Sequence, residues 1–276
     1  WMRPKSSILQ KTNQRRRSTM SPRDEMTFWE HLEELRRVFI KIIVAIVGCG
    51  LVAFLLKDEV FRLILAPHAP DFLSYRLCEQ LHLLSQNEIT TTASAIQLVN
   101  TTLTGQFAMH VKASAYVGFM VASPYVFYQL FGYIAPAFEP ATQQRVVPIV
   151  VSSFVMFCIG LAFNYFVIFP LTFHFLGTYQ VSGSVENLIT LNSYVDTLLV
   201  LSLLMGILFE LPLVCWLMGR CGLLTASTMR RYRRHAVVAI VVVAAIITPT
   251  SDAFTLAVVS LPIWLLYEVS VLLVPK

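Results

Sequence analysis

Three acidic residues lie inside long apolar stretches of the sequence, where a charged side chain is unfavourable. Asp196 and Glu210 share one stretch, in which Glu210 stands two residues before Pro212, and Glu268 lies in another. An ionised acid at the centre of a bilayer costs about 2.5–3.5 kcal/mol on insertion scales. Each of these acids is therefore expected to be neutral, to be paired, or to face water or a partner.

The three acids differ in the role that their surroundings favour. For Glu210 we favour a polar site on a concave face, with a hydrogen bond to a neighbouring helix as the alternative. Asp196 falls in the first turn of its predicted helix, where the helix dipole stabilises a carboxylate, so a structural role is favoured. For Glu268, a functional polar site and a structural role are about equally favoured.

A second group of acids lies in the amphipathic segment 28–37, just before the first apolar run. Leu32 and Leu35 take one side of this segment, and its acids are Glu30, Glu33 and Glu34. Acids beside arginines usually form solvated or intrahelical pairs. Three acids on the positively charged side of a membrane protein nevertheless suit a cationic peptide, because guanidinium pairs bidentately with carboxylate.

The sequence contains no recognisable catalytic or metal-binding motif. The segment that begins His31-Leu32-Glu33 lacks the second histidine of a zinc-protease helix, and neither a GxSxG elbow nor a phosphate-binding loop occurs. The five cysteines are scattered without a CxxC pair. We therefore expect no enzyme, no catalytic residue, no metal and no cofactor.

The composition indicates a protein that is dissolved in lipid. Of 276 residues, 56% are hydrophobic and 13% are charged, whereas soluble domains carry about 25% charged residues. Lipid admits only helices and closed barrels, and the long continuous apolar runs favour helices. The net charge of +5 comes from basic residues that flank these runs, which predicts membrane topology and not nucleic-acid binding.

The fold class is predicted to be all-α, a polytopic membrane protein with six kinked transmembrane helices in a concave, glove-like shape. The predicted spans are Val38–Leu56, Phe107–Phe131, Val146–Phe169, Val195–Leu217, Ala236–Ile247 and Phe254–Leu273. The fifth would reach only ~18 Å at 1.5 Å per residue, so it should thin the membrane locally. Prolines are expected to bend or end the helices, and those given a structural role are Pro67, Pro124, Pro136, Pro148 and Pro212.

Charge also predicts the orientation and the domain organisation. Most Lys and Arg residues flank the spans on one side, against Lys57, Arg62 and Arg76 on the other. Both termini are therefore predicted to be cytoplasmic, or on the matrix or stromal side of an organelle. Residues 1–25 are predicted to form a basic, disordered tail, and residues 26–276 the six-helix transmembrane domain.

Several motifs are weak singly but specific in this order and spacing. They are His31-Leu32-Glu33-Glu34-Leu35-Arg36, Pro67, the segment 123–136, Val146-Val147-Pro148, Phe209-Glu210-Leu211-Pro212, the arginine cluster 230–234, Thr248-Pro249 with Asp252, and the segment 261–268. In these motifs, over about residues 26–274, the sequence resembles the TatC family of twin-arginine translocase subunits.

The resemblance implies a receptor for twin-arginine signal peptides of folded proteins, with Glu34 as the matched acid at the cytoplasmic face. The implied peptide site consists of Glu34, Arg36, Tyr133, Glu139 and Thr142. The implied intramembrane polar or partner site consists of Glu210, Asp252 and Glu268. Implied partners are TatA- and TatB-type single-span proteins, the lipid bilayer and further copies of the chain. Transport would be driven by the proton-motive force across a bacterial inner membrane, or across an organellar inner or thylakoid membrane.

The sequence departs from the family pattern in the loop between the second and third spans. Thr142 occupies the position of a second recognition glutamate. Either Glu139 substitutes from three residues upstream, or twin-arginine binding is weaker or rearranged.

A proton- or solute-coupled secondary transporter is the alternative function. The acids within the spans motivate it, but no internal repeat is evident, which counts against it.

Overall fold

The computed structural model describes residues 28–69, 72–75, 98–135, 146–179, 188–248 and 252–274, without the side chains of residues 28, 30 and 31. The described residues fall into two compact units, one that contains residues 28–41 and one that contains those from 42 to 274. The helices are α1 (Phe28–Leu55), α2 (Lys57–Leu65), α3 (Gly105–Ile134), α4 (Val146–Phe163), α5 (Phe169–Thr178), α6 (Leu191–Leu208), α7 (Leu211–Arg220), α8 (Ala226–Arg231), α9 (Arg233–Ile247) and α10 (Ala253–Leu273). Pro67 lies in the short 3-10 turn that follows α2.

The described chain is almost entirely helical, which confirms the all-α polytopic class. Within it, five helical stretches are long and apolar enough to cross a membrane, namely Leu32–Leu55, Gly105–Ile134, Val146–Thr178, Leu191–Arg220 and Ala253–Leu273. The predicted fifth span is α9, which has 15 residues and measures about 22 Å at 1.5 Å per residue. It is therefore shorter than the hydrocarbon core of about 30 Å.

Two of the predicted spans are interrupted helices. Between α4 and α5 the backbone forms a π-helical turn, Asn164–Ile168, so the third span continues past the predicted end at Phe169 to Thr178. The fourth span divides into α6 and α7 around Phe209-Glu210, because Pro212 in the first turn of α7 has no N–H to continue the ladder. Pro124 lies inside α3, and Pro148 lies in the first turn of α4.

The central helix of the second unit is α6. Its residues Val195 and Leu198 pack with α2, α3 and α5 in one apolar cluster. Leu201 and Met205 pack with α9 and α10 in another. Half of the most apolar stretch of this span is buried inside the protein, so α6 contacts protein where the other spans face mainly lipid.

Two close contacts hold the helices of this unit together. At Gly118 on α3, an added Cβ would lie 2.5 Å from the amide nitrogen of Gly50 on α1. At Gly160 on α4, it would lie 2.6 Å from the carbonyl oxygen of Met205. These helices approach so closely that only glycine fits.

A two-residue parallel bridge joins the chain segments before α3 and α6. Leu98 pairs with Ile189, and Val99 pairs with Thr190. No local pattern in the sequence predicts this bridge. The bridge ties together the starts of two helices that pack against each other.

Candidate functional site

Glu34 lies in the polar first turns of α1, in the first compact unit. Its side chain is exposed, as is that of Arg36. The neighbouring Glu33 is paired with Arg37 at i,i+4, with 2.6 Å between Oε1 and Nη2. Glu34 forms no ion pair with any residue that the structure describes. One carboxylate of this acidic pair is therefore neutralised within its helix, and the other remains available to a cation.

Glu210 lies at the interruption between α6 and α7 and is 8% exposed. The fully buried Ser153 on α4 donates its hydroxyl to Glu210 Oε2 at 2.7 Å. Glu210 Oε1 is buried and has no hydrogen-bond partner in the described part of the chain. The internal hydrogen bond considered from the sequence thus exists, but it satisfies only one of the two oxygens.

A cleft of about 660 Å³ opens beside this acid in the second compact unit. The last turns of α3 form one wall of the cleft, and the C-terminal half of α7 forms the other. The cleft is lined by Phe127, Leu130, Phe131, Ile134, Ser153, Glu210, Val214, Leu217, Met218, Cys221 and Leu223. Glu210 is the acidic group of this largely apolar cavity.

The other two acids assigned to the intramembrane site have structural partners. Asp252 caps α10, and its Oδ1 accepts a hydrogen bond from the backbone N–H of Thr255 at 2.6 Å. Glu268 on α10 pairs with Arg233 at the start of α9, with 2.6 Å between Oε2 and Nη2. Asp252 therefore stabilises the start of α10, Glu268 joins α10 to α9, and of the three acids only Glu210 lines the cleft.

Asp196 does not lie in the first turn of its helix as predicted, because α6 begins at Leu191 and has no acid in its first turn. The helix dipole acts mainly within that turn, and the carboxylate is instead paired, with 2.7 Å between its Oδ1 and Lys112 Nζ on α3. The residues missed by sequence reasoning are the partners Ser153 and Lys112. A serine or a lysine within an apolar run is visible in the sequence, but its partner on another helix is not.

The remaining predicted residues of the peptide site are only partly described. Tyr133 lies in the last turn of α3 and is half-buried. Pro136, Glu139 and Thr142 lie outside the described residues. In the described ranges, no cluster of three His, Cys, Asp or Glu side chains could hold a metal ion.

These helices and acids define a multi-pass, all-α membrane protein with a partly buried acid between its spans. A family model described as Sec-independent protein translocase protein (TatC) matches residues 30–262. The chain belongs to this TatC family, whose members are components of a protein translocase.

Relatives and solved structures agree with this assignment. The chain is 30% identical to a TatC from Blattabacterium over 253 residues, covering 90% of this chain and 95% of the relative. It is 29% identical to the TatC of Escherichia coli K12, covering 91% and 89%. A crystal structure of a twin-arginine translocase receptor, TatC, superposes with a TM-score of 0.72 at 28% identity, covering 88% of this chain and 97% of that one.

Proposed function

We propose that this chain is the receptor and core subunit of a twin-arginine translocase. In this role it binds the arginine pair of a signal peptide at its cytoplasmic face, and Glu34 supplies the carboxylate. The observation that carries the proposal is the difference between Glu34, which is exposed and unpaired in the described chain, and Glu33, which Arg37 already engages. A guanidinium forms two parallel hydrogen bonds with a carboxylate, which an ammonium cannot do.

The peptide site extends, on the family pattern, to Arg36, Tyr133 and the loop with Glu139 and Thr142. We retain Glu139 as the substitute for the missing loop glutamate. This part of the proposal is supported by the sequence alone.

Glu210 is proposed to receive a partner subunit. A TatA- or TatB-type single-span helix that carries a polar side chain at mid-membrane depth would donate a hydrogen bond to Glu210 Oε1. The buried, unsatisfied oxygen beside the 660 Å³ cleft supports this assignment, because an unsatisfied polar group in hydrocarbon is unfavourable. We further propose assembly with other copies of the chain, and transport of folded cargo that is driven by the proton-motive force.

The proposed location is the bacterial inner membrane, with both termini in the cytoplasm. The excess of Lys and Arg on the side of the termini supports this orientation. An organellar inner or thylakoid membrane is the alternative.

The ion pairs of two intramembrane acids weaken the case for a secondary transporter. Asp196 and Glu268 are engaged by Lys112 and Arg233, so two of the three acids that suggested a proton path are ion-paired. Flux of a small solute through liposomes that contain this chain alone would restore the alternative.

Site-specific crosslinking tests the receptor role. A photoreactive residue at position 35, which leaves Glu34 in place, should crosslink a twin-arginine signal peptide much more strongly than its twin-lysine variant in the membrane-embedded full chain. A photoreactive residue at position 57, predicted to lie on the opposite side of the membrane, serves as the control. Equal crosslinking of the two peptides at position 35 would remove Glu34 from the proposed site.

A further inference from the structure

A second cavity, of about 330 Å³, lies on the other side of α7 from the Glu210 cleft. The first turns of α4 and α7 and the last turn of α10 form its walls. Its lining residues are Pro148, Ile149, Ser152, Met156, Pro212, Leu213, Trp216 and Leu273. Its volume falls in the range of about 300–1,000 Å³ that is typical of small-molecule sites.

The lining of this cavity is mostly hydrocarbon, and its polar side-chain groups are the Ser152 hydroxyl and the Trp216 indole N–H. The one hydroxyl, on Ser152, donates to the carbonyl oxygen of Pro148 in its own helix at 2.8 Å. The adjoining surface continues apolar, with Val147, Val151 and Leu272 exposed. An occupant of this cavity is therefore bound through apolar contact along its length.

The rim of the cavity is different, because it is aromatic and cationic. The guanidinium carbon of Arg220 lies 5.4 Å from the ring centroid of Trp216, and Arg220 is exposed with no acidic partner in the described ranges. Tryptophan beside arginine at the end of a span is typical of the membrane–water interface. The sequence from 211 to 251 contains no acid, and its further arginines are Arg230, Arg231, Arg233 and Arg234. Glu268 is the acid that faces this group, and it is engaged by Arg233.

We propose that this cavity binds an anionic phospholipid, with one acyl chain in the apolar cleft and the phosphate on Arg220. A ligand with an apolar body and one anionic end matches the apolar walls and cationic rim. A partner helix fits less well, because a helix with its side chains is about 10–12 Å across and the cavity holds only about 330 Å³. The proposal is independent of peptide recognition.

Tryptophan quenching tests the site directly. A chain in which Trp1, Trp29 and Trp264 are replaced by phenylalanine retains Trp216 as its single tryptophan. The full-length protein is placed in nanodiscs with increasing fractions of brominated phosphatidylglycerol or brominated phosphatidylcholine. We expect phosphatidylglycerol to quench half of the Trp216 fluorescence at a mole fraction about fivefold lower than phosphatidylcholine requires. This ratio corresponds to ~1 kcal/mol for one basic residue beside an anionic lipid.

Matched variants distinguish the contribution of the cationic rim to lipid binding from that of the apolar cleft. Arg220→Gln should abolish the preference for phosphatidylglycerol, Arg220→Lys should keep most of it, and Arg234→Gln should leave it intact. Ser152→Phe should weaken quenching by both lipids, since the ring fills the cleft; if this variant fails to fold, the arginine variants still decide. Equal quenching by the two lipids, or a preference that survives Arg220→Gln, would overturn the proposal. Quenching by neither lipid would also overturn it and would indicate that protein covers Trp216.

Discussion

Lys112 on α3 and Asp196 on α6 form an ion pair at 2.7 Å between residues that are 84 positions apart in the sequence. Their side chains are 41% and 39% exposed, so the pair lies at the surface of the protein and not in its core. It joins helices whose starts the β1–β2 bridge also connects, with β1 at Leu98–Val99 and β2 at Ile189–Thr190. A charge within an apolar span is tolerated when its counter-charge is adjacent.

Breaking the Lys112–Asp196 pair on one side should destabilise the protein more than removing both charges. We expect Lys112→Met to lower the free energy of unfolding by about 1–2 kcal/mol, between the values for exposed and buried pairs. The double variant Lys112→Met/Asp196→Asn should recover most of this loss. Thermal unfolding in detergent measures the effect, and Arg62→Met, which breaks the exposed Arg62–Glu59 pair, is the control. A double variant as unstable as the single one would show that the charges do not interact.

Replacing Glu34 should weaken signal-peptide binding, whereas replacing Glu33 should not. Glu34→Gln removes a charged hydrogen-bond acceptor, so we expect a loss of roughly 1.5–3 kcal/mol of binding free energy. Glu33→Gln changes the same charge one residue away and leaves Glu34 in place. Fluorescence anisotropy of a labelled twin-arginine peptide measures both variants. Unchanged affinity in Glu34→Gln, or equal losses in the two variants, would contradict the role of Glu34.

Removing the hydroxyl that supports Glu210 should destabilise the fold. Ser153→Ala removes the donor to Oε2 of the buried acid, so both carboxyl oxygens lack a described partner, at an expected loss of about 1–3 kcal/mol. Ser152→Ala is the matched control, because that hydroxyl bonds within its own helix and is exposed. Thermal denaturation in mixed micelles, without chemical denaturant, measures the difference in melting temperature between the two variants. Identical melting temperatures for the two variants would show that Ser153 is not needed at Glu210.

A methyl group at Gly118 should separate α1 from α3. In Gly118→Ala the new Cβ would lie 2.5 Å and 2.6 Å from the amide nitrogen and Cα of Gly50, which are backbone atoms that cannot rotate away. Overpacking of this kind costs about 1–3 kcal/mol. Gly132→Ala on the same helix meets nothing within 4 Å and should be neutral or slightly stabilising, since alanine favours helix. Differential scanning calorimetry compares them, and equal stability would exclude a tight contact.

The sequence predicted the spans well because the signals for them are local. Continuous apolar runs identify the helices. The breaker residues Thr248-Pro249 divide the long stretch after Arg234 and so predict the short α9, which begins three residues earlier than expected. Pro212 marks the division between α6 and α7, although a single predicted helix covered both. The position of Glu34 before the first span also follows from the local pattern of charge.

The partners of the charged and polar groups could not be predicted in the same way. Lys112 and Ser153 are brought to Asp196 and Glu210 by helix packing, and no periodicity within one helix encodes that rotation. For the same reason the pairing of Glu268 with Arg233 on another helix was not predicted, whereas the cap that Asp252 makes with Thr255 is a local contact. The loop that contains Glu139 and Thr142 is not described, so its part in peptide recognition stays a prediction.

Helix α7 separates the cleft that contains Glu210 from the second, smaller cavity. Val214, Leu217 and Met218 border the cleft with Glu210, and Leu213 and Trp216 border the smaller cavity beneath Arg220. Pro212 lies in the first turn of α7, where it removes a backbone hydrogen bond. The two cavities have α7 as a common wall, so a displacement of α7 that widens one cavity narrows the other.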